Sequence, residues 1–474
     1  MADKLARFRV LNLGGLNIYV NPLIRKDGEF TRLVNVDSFP YGAKQKRAGY
    51  ATFLGTADGS AVKDLFSWTK DDGTTLYNYR NSGTQLFYSA QGTGAWTACG
   101  NGSVAGTAHV GHTVLGNTLV IGDGVGSTRH TTSGTSFTDT TLAPVASDFE
   151  EYQKRVYAMG TASDWFYSTT NDATNWNTTG TSDSSSFKVS GEGRLLKTFK
   201  LNDKLFATKT SEAMFRWDGY SLSDMATALG PASPYSFAKV EDFGFWLNPL
   251  GIFSSGGGKP QLISNAVQCQ IYNDAGNGIA GGTIKVASAV VHRYNYYLSM
   301  GTVTDDFTNE QLADGILKYD YQKNEFSNYK FNNFPNAWHS YKDTNGNQQL
   351  IFGDSTGQCY TSGGTVTTDN GSTIEAIMEG FIHLGAPELD KEWNWLWAFF
   401  NPGNEAKIQV AIGDSLQQRS KRWVDIGDCS DGVTQFRFPK DSRGKFLFYK
   451  IYEASRNARF NFYGFAFDAL IVDV

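Results

Sequence analysis

The chain has 474 residues, 40% hydrophobic and 19% charged, with 33 Phe, 23 Tyr and 11 Trp. This is enough apolar material for two to three packed domains, and it excludes an intrinsically disordered chain. A formal charge of −5 argues against a generic nucleic-acid binder, but residues 1–50 and 415–460 each sum to +5 and leave −15 for the remainder. Basic ends of this kind suit an acidic partner, protein or nucleic acid, with solvated surface charge as the plain alternative.

In chain order, residues 1–55 read as an extended arm. It is punctuated by turns at Gly14-Gly15, Asn21-Pro22, Asp27-Gly28 and Tyr41-Gly42, and carries a basic cluster at Lys44, Lys46 and Arg47 before Gly49-Tyr50. A loose repeat follows over 56–370. The unit 62–99 holds Leu65-Phe66-Ser67-Trp68, an Asp71-Asp72-Gly73 turn, Leu76-Tyr77-Asn78-Tyr79 and Gln85-Leu86-Phe87-Tyr88-Ser89. Comparable units occupy 108–142, 149–176, 194–225, 235–264, 286–331 and 337–368, each with three or four short strands and polar turns such as Asn202-Asp203.

A single sheet of this size leaves both faces wet. Packing such sheets around an axis covers each with its neighbour, so the period of 30 to 45 residues predicts a β-propeller of about seven blades. A set of β-sandwiches is the competing arrangement. After Asp369-Asn370-Gly371, alternating segments at 373–383, 394–400, 407–412, 435–438, 445–453 and 461–472 predict a C-terminal β-sandwich over 371–474. The 51 glycines, scarce proline and abundant aromatics agree with an all-β chain.

Four cysteines, Cys99, Cys269, Cys359 and Cys429, lie far apart with no C-x-x-C pair, so neither a disulfide framework nor a zinc site is expected. The start has no apolar h-region and no run approaches 18 apolar residues, so a cleaved signal and a membrane span are not expected. Gly353-Asp354-Ser355-Thr356-Gly357 matches the nucleophile elbow in letters, but a strand rather than a helix follows, which predicts a hairpin turn. Gly276 to Gly281 matches G-x-G-x-x-G without a βαβ setting and reads as a loop. His109 and His112 form a weak H-x-x-H; the other histidines are scattered, and structural roles are expected.

The run Ser168 to Trp176 resembles the Asp-box hairpin of sialidase-like propellers, with Asn171 near the usual Asp and Ala173 where Gly is usual. That motif is structural. Glycosidase chemistry would need an arginine cluster and mouth carboxylates, and no pattern selects three of Arg129, Arg155, Arg194, Arg216 and Arg293. No catalytic, cofactor-binding or metal-binding residues are assigned. The expected partner-facing cations are Lys44, Lys46 and Arg47 at one end, with Arg419, Lys421, Arg422, Lys440, Arg443 and Lys445 at the other.

Several segments together carry a resemblance. The arm ends in Lys44-Gln45-Lys46-Arg47-Ala48-Gly49-Tyr50, and a blade runs from Lys204-Leu205-Phe206-Ala207-Thr208-Lys209 to Ala213-Met214-Phe215. Leu250-Gly251-Ile252-Phe253 precedes Lys259-Pro260-Gln261-Leu262-Ile263-Ser264, and the chain closes with Phe446-Leu447-Phe448-Tyr449-Lys450-Ile451-Tyr452 and 460–471. In length and order the chain resembles the packaged-DNA stabilisation and tail hub or nozzle proteins of short-tailed bacteriophages. The resemblance implies a non-enzymatic virion protein, assembled in the host cytoplasm. It implies a ring, usually sixfold, below the portal and adaptor, which closes or extends the DNA channel and carries fibres or spikes. The alternatives are a carbohydrate-binding or host-recognition module, using rings such as Trp96, Trp165 and Trp176, and a glycan-cleaving propeller.

Overall fold

The computed structural model describes residues 6–472 except 19–21, 39–41, 107, 161, 181, 272–278, 280, 305–310, 416–421, 430–431 and 456–459. Almost every described element is a strand. Five self-contained, four-stranded antiparallel sheets lie at 62–103, 111–139, 146–188, 195–226 and 238–262, and a sixth at 337–362 takes its fourth strand from Tyr50–Thr52. They are the blades of a β-propeller. Between consecutive sheets sit separate apolar clusters. Phe66 and Trp68 pack with Leu119 and Ile121, Phe149 and Val156 with Val120, and Phe199 and Phe206 with Trp246 and Phe253. Each sheet thus covers its neighbour's face, as the burial argument requires.

Local chemistry fixes the hairpins. Asn202 and Asp203 have φ of 46° and 52°, the left-handed pair that a two-residue turn needs to match strand twist. They join Leu195–Leu201 to Lys204–Lys209 with Leu201 opposite Lys204. Asp72 closes the first blade's turn by accepting from the amides of Thr74 (2.8 Å) and Thr75 (2.7 Å).

The unit read at 286–331 is not self-contained. Its four antiparallel strands, Ser288–His292, Asn295–Thr304, Gln311–Asp320 and Glu325–Lys330, lead a nine-stranded sheet. The three-residue strand Arg32–Val34 is the splice. It runs parallel to Glu325–Lys330 through Val34 and Asn328, and antiparallel to Ala376–Ile382. The sheet then continues through Phe446–Glu453, Lys407–Gly413 and Val424–Asp428. A second, seven-stranded sheet contains Asp390–Phe400, Asn461–Val472 and Ala6–Val10. Both sheets and one face of the 238–262 blade share one core, including Phe30, Phe245, Tyr296, Leu298, Met378, Leu396, Ile451 and Phe467. Packing is therefore unbroken across the boundary expected near residue 370.

Within the first 55 residues, read as an extended arm, the described strands are built into three sheets, and Tyr50–Thr52 is the outermost strand of the 337–362 blade, paired with Cys359–Ser362. The ring of blades is closed by a strand from the other end of the propeller sequence.

Candidate functional site

The basic residues expected to face a partner divide in two. Lys44, Lys46 and Arg47 are each only 1% exposed, which overturns the expectation for this cluster. Their acidic partners are internal. Lys44 Nζ lies 2.7 Å from Glu325, Lys46 pairs with Glu453, and Arg47 Nη2 lies 2.6 Å from Asp369. Lys44-Gln45-Lys46 is an edge-to-centre strand with both lysines inward, and a buried cation persists only beside an anion. At the other end Arg422, Lys440 and Arg443 are exposed and Lys445 is half-buried, with Arg443 3.4 Å from Glu392. Arg419 and Lys421 lie outside the described residues.

The axis of the propeller holds a polar cavity of about 450 Å³. Each unit supplies residues near the start of its innermost strand: Asp64, His109, Asp148, Lys197, Tyr235, Ser288 and Trp338. Asp64 orients the mouth by accepting from His109 Nδ1 (2.8 Å), the Val110 amide (2.8 Å) and Asn81 Nδ2 (2.7 Å). The His109 ring stacks on Tyr235 from the far side, with centroids 3.6 Å apart. Deeper, Lys197 Nζ donates to Asp148 (2.7 Å), and Lys239 reaches Glu150 at 3.4 Å. Burial pushes both carboxyls above the ordinary range, against the pull of these lysines. The His109–Tyr235 stack and the Glu150–Lys239 pair thus join side chains from blades that are not consecutive.

The site can orient an imidazole and hold a small polar ligand beside Arg194, the single member of the five repeat arginines that lines the cavity. Among the described residues His109 hydrogen-bonds Asp64 and no serine or cysteine. Sequence reasoning missed this constellation because Asp64, His109 and Tyr235 come from three units.

Histidines line the axis further along. His292 Nδ1 is 2.9 Å from Ser340 Oγ, His339 Nε2 is 2.9 Å from Ser67 Oγ, and His112 stacks on Phe66 at 4.1 Å. Protein enclosure lowers buried His292 to about 4 and half-buried His339 to about 3, from an ordinary 6.5. As pH falls below 6.5 the unfolded chain takes up these protons first. Stability is therefore full above that pH and drains towards pH 4. For buried His292 the gap is worth roughly 3 kcal/mol. Urea denaturation at neutral and acid pH is expected to show a smaller acid loss for His292→Asn than for the parent chain; equal losses would refute the assignment.

The remaining motifs are structural. Gly353 to Gly357 is a hairpin turn between Gln348–Gly353 and Cys359–Ser362, capped by Asp354 on the Thr356 amide (2.9 Å). In the Asp-box-like run, Asn171 has φ 62° and Trp176 Nε1 donates to Ala173 O (3.0 Å). Of the rings expected to stack on sugars, Trp165 and Trp176 are 0% and 5% exposed and belong to the core, while Trp96 is half-buried under Arg80. Apart from Ile279 and Gly281, the G-x-G-x-x-G run lies outside the described residues. No helix among them is long and apolar enough to cross a membrane.

The fold and its axial cavity define the chain as a β-propeller protein. No family model and no curated protein matches it. Among solved structures it is similar to the WD40 β-propeller domain of Doa1, at 10% identity and a TM-score of 0.39, over 66% of this chain and 97% of that one. It is also similar to YCF48 from Cyanidioschyzon merolae, at 8% identity and a TM-score of 0.43, over 66% and 98%. BamB from Moraxella catarrhalis matches at 11% identity and a TM-score of 0.39, over 75% and 96%.

Proposed function

We propose that this chain is a non-enzymatic structural subunit of a bacteriophage particle, a tail hub or nozzle component. In this reading it joins copies of itself in a ring, usually sixfold, that continues or closes the DNA channel and docks fibres or spikes. The portal or adaptor and packaged DNA are its further contacts. The strands 288–330 then count as a seventh blade, and the two C-terminal sheets as a β-sandwich.

One observation carries the reading beyond the sequence resemblance. A continuous nine-stranded sheet, spliced by Arg32–Val34, joins a propeller unit to the C-terminal strands. Buried ion pairs from Lys44, Lys46 and Arg47 cross the same junction. Such welding suits a part that must hold shape under load, whereas hinged domains suit a binding or catalytic cleft. Among the described residues of the expected set, the cations left for an acidic partner are Arg422, Lys440, Arg443 and Lys445. The carbohydrate-recognition alternative loses Trp165 and Trp176, two of its three stacking rings, to the core.

Mass spectrometry and electron microscopy of purified particles test the proposal. The chain is expected in stoichiometric amounts at the neck or tail, and its absence from particles would end the proposal.

A further inference from the structure

The axial cavity holds more polar groups than the fold consumes. Three carboxylates and three cations line it: Asp64, Asp123 and Asp148 with Lys63, Arg194 and Lys197. Five of the six are already committed. Asp64 accepts the three hydrogen bonds described above, and Asp123 accepts from the amides of Ala105 (3.0 Å), Val125 (2.9 Å) and Gly126 (2.7 Å). Asp148 holds Lys197 and the Thr198 amide (2.7 Å), and Lys63 Nζ donates to the carbonyls of Gly83 (2.7 Å) and Gly106. Arg194 is the exception, an exposed side chain whose guanidinium has no hydrogen bond or ion pair among the described residues.

Uncharged groups are left over beside it. Ser288 lines the same cavity and is 7% exposed, yet its Oγ is buried without a hydrogen-bond partner, a state that folded proteins rarely leave uncompensated. The Tyr235 hydroxyl also lacks a partner among the described residues. His109 gives Nδ1–H to Asp64, which in the neutral ring leaves Nε2 as an acceptor.

These groups are held in place. Tyr235 sits in the turn Pro234–Ser236, where Ser233 Oγ accepts from its amide (3.2 Å) and donates to Ala287 O (2.7 Å). Arg194 is pinned through its backbone. Its carbonyl accepts from the Thr210 amide (2.9 Å), and the Leu195 amide donates to Ala162 O (2.8 Å).

The uncommitted groups describe a ligand. One free guanidinium asks for one carboxylate, in the planar fork that arginine matches best. A dianion such as phosphate meets the added repulsion of Asp64, Asp123 and Asp148, and an ammonium group finds each of those carboxylates already taken. Ser288, Tyr235 and His109 are suited to hydroxyls, which donate and accept. Tyr235, Phe237 and Trp338 add an apolar wall for the C–H face of a ring, and about 450 Å³ has room for one.

We propose that the axial cavity binds an acidic sugar, a pyranose bearing one carboxylate, with the carboxylate on Arg194 and ring hydroxyls on Tyr235, His109 and Ser288. The site rests on the cavity alone and does not depend on the virion role proposed above.

Calorimetric titration of the full chain with D-glucuronate and D-galacturonate tests it. At least one uronate is expected to bind with a roughly millimolar Kd, as its size allows. D-Glucose lacks the carboxylate and acetate lacks the ring, so each should bind about tenfold more weakly or worse. Arg194→Ala should weaken uronate binding about tenfold or more, with Arg194→Lys in between. Tyr235→Phe should weaken it about threefold to tenfold. Arg194 is exposed, so native circular dichroism is expected in its variants, and Arg443→Ala on the C-terminal sheets should bind like the parent. The site is overturned if neither uronate binds at about 20 mM, in which case Ser288 serves a water only. It is equally overturned if acetate, phosphate or glucose binds as tightly as the uronates, or if Arg194→Ala binds them like the parent. Uronate binding by a chain absent from particles would refute the virion role and keep the site. Presence in particles without uronate binding would do the reverse.

Discussion

Replacing Arg47 with alanine is expected to cost about 3–5 kcal/mol of folding stability. The guanidinium is 1% exposed and fully committed. Its two terminal nitrogens hold the Asp369 carboxylate at 2.8 and 2.6 Å, and Nε donates to Asn35 Oδ1 at 2.8 Å. The same terminal nitrogens reach the carbonyls of Ala48 (2.9 Å) and Lys330 (2.8 Å), and the cation lies 4.4 Å over Phe331. Truncation leaves the Asp369 anion without its cation in the interior and takes one donor from each of two carbonyls and from Asn35 Oδ1, which keeps only the Lys330 amide (2.9 Å). Arg47→Lys should fall between, since it keeps the charge but loses the planar fork. Arg443→Ala is the contrast, because its pair with Glu392 is exposed and expected to be worth about 0–1 kcal/mol. Denaturant titrations of the three variants decide the matter; an Arg47→Ala loss as small as that of Arg443→Ala would refute it.

Gly49→Ala is the second large effect. A Cβ at this position would lie 2.0 Å from Thr368 O and 2.5 Å from its carbonyl carbon. Both obstacles are backbone, so no side chain can swing aside. Gly49 is also stitched in place, donating to Val366 O (2.8 Å) and accepting from the Gly363 amide (3.1 Å). Relief therefore means shifting the adjoining strand Tyr50–Thr52 off Cys359–Ser362. The expected cost is about 3 kcal/mol, the upper range for overpacking. Hydrogen exchange should show lost protection at 359–362, the strand that Tyr50–Thr52 covers. Gly258→Ala, with open space around it, is the neutral control. Unchanged protection at 359–362 in Gly49→Ala would contradict this account.

Much of the local structure was legible in the residues, because strand alternation and turn chemistry act over a few positions. The segment read at 373–383 is the strand Ala376–Ile382, and Asn202-Asp203 is the hairpin turn its composition suggested. What escaped depends on partners distant in sequence. Lys44, Lys46 and Arg47 look like a surface patch until Glu325, Glu453 and Asp369 are placed beside them. The strand Arg32–Val34 has three residues, too few for a period to declare itself, yet it splices the largest sheet. Strict alternation would place Trp393, Trp395 and Trp397 on one face, and the bulge between Trp393 and Trp395 separates them. Trp165 and Trp176, named as rings for stacking on sugars, are absorbed by the blade interior.

The pairing of Tyr50–Thr52 with Cys359–Ser362 has a consequence for biogenesis. The two strands are roughly three hundred residues apart, so the ribosome delivers one long before the other exists. Earlier blades can pair internally as they emerge, but the circle shuts only when the late strand arrives, a contact whose loop entropy makes it slow. Until then an unpaired sheet edge is on show, and the nascent polypeptide is open to capture by chaperones or to aggregation. A chain cut short before residue 359 never acquires the finished circle, so quality control over completeness is written into the order of the strands.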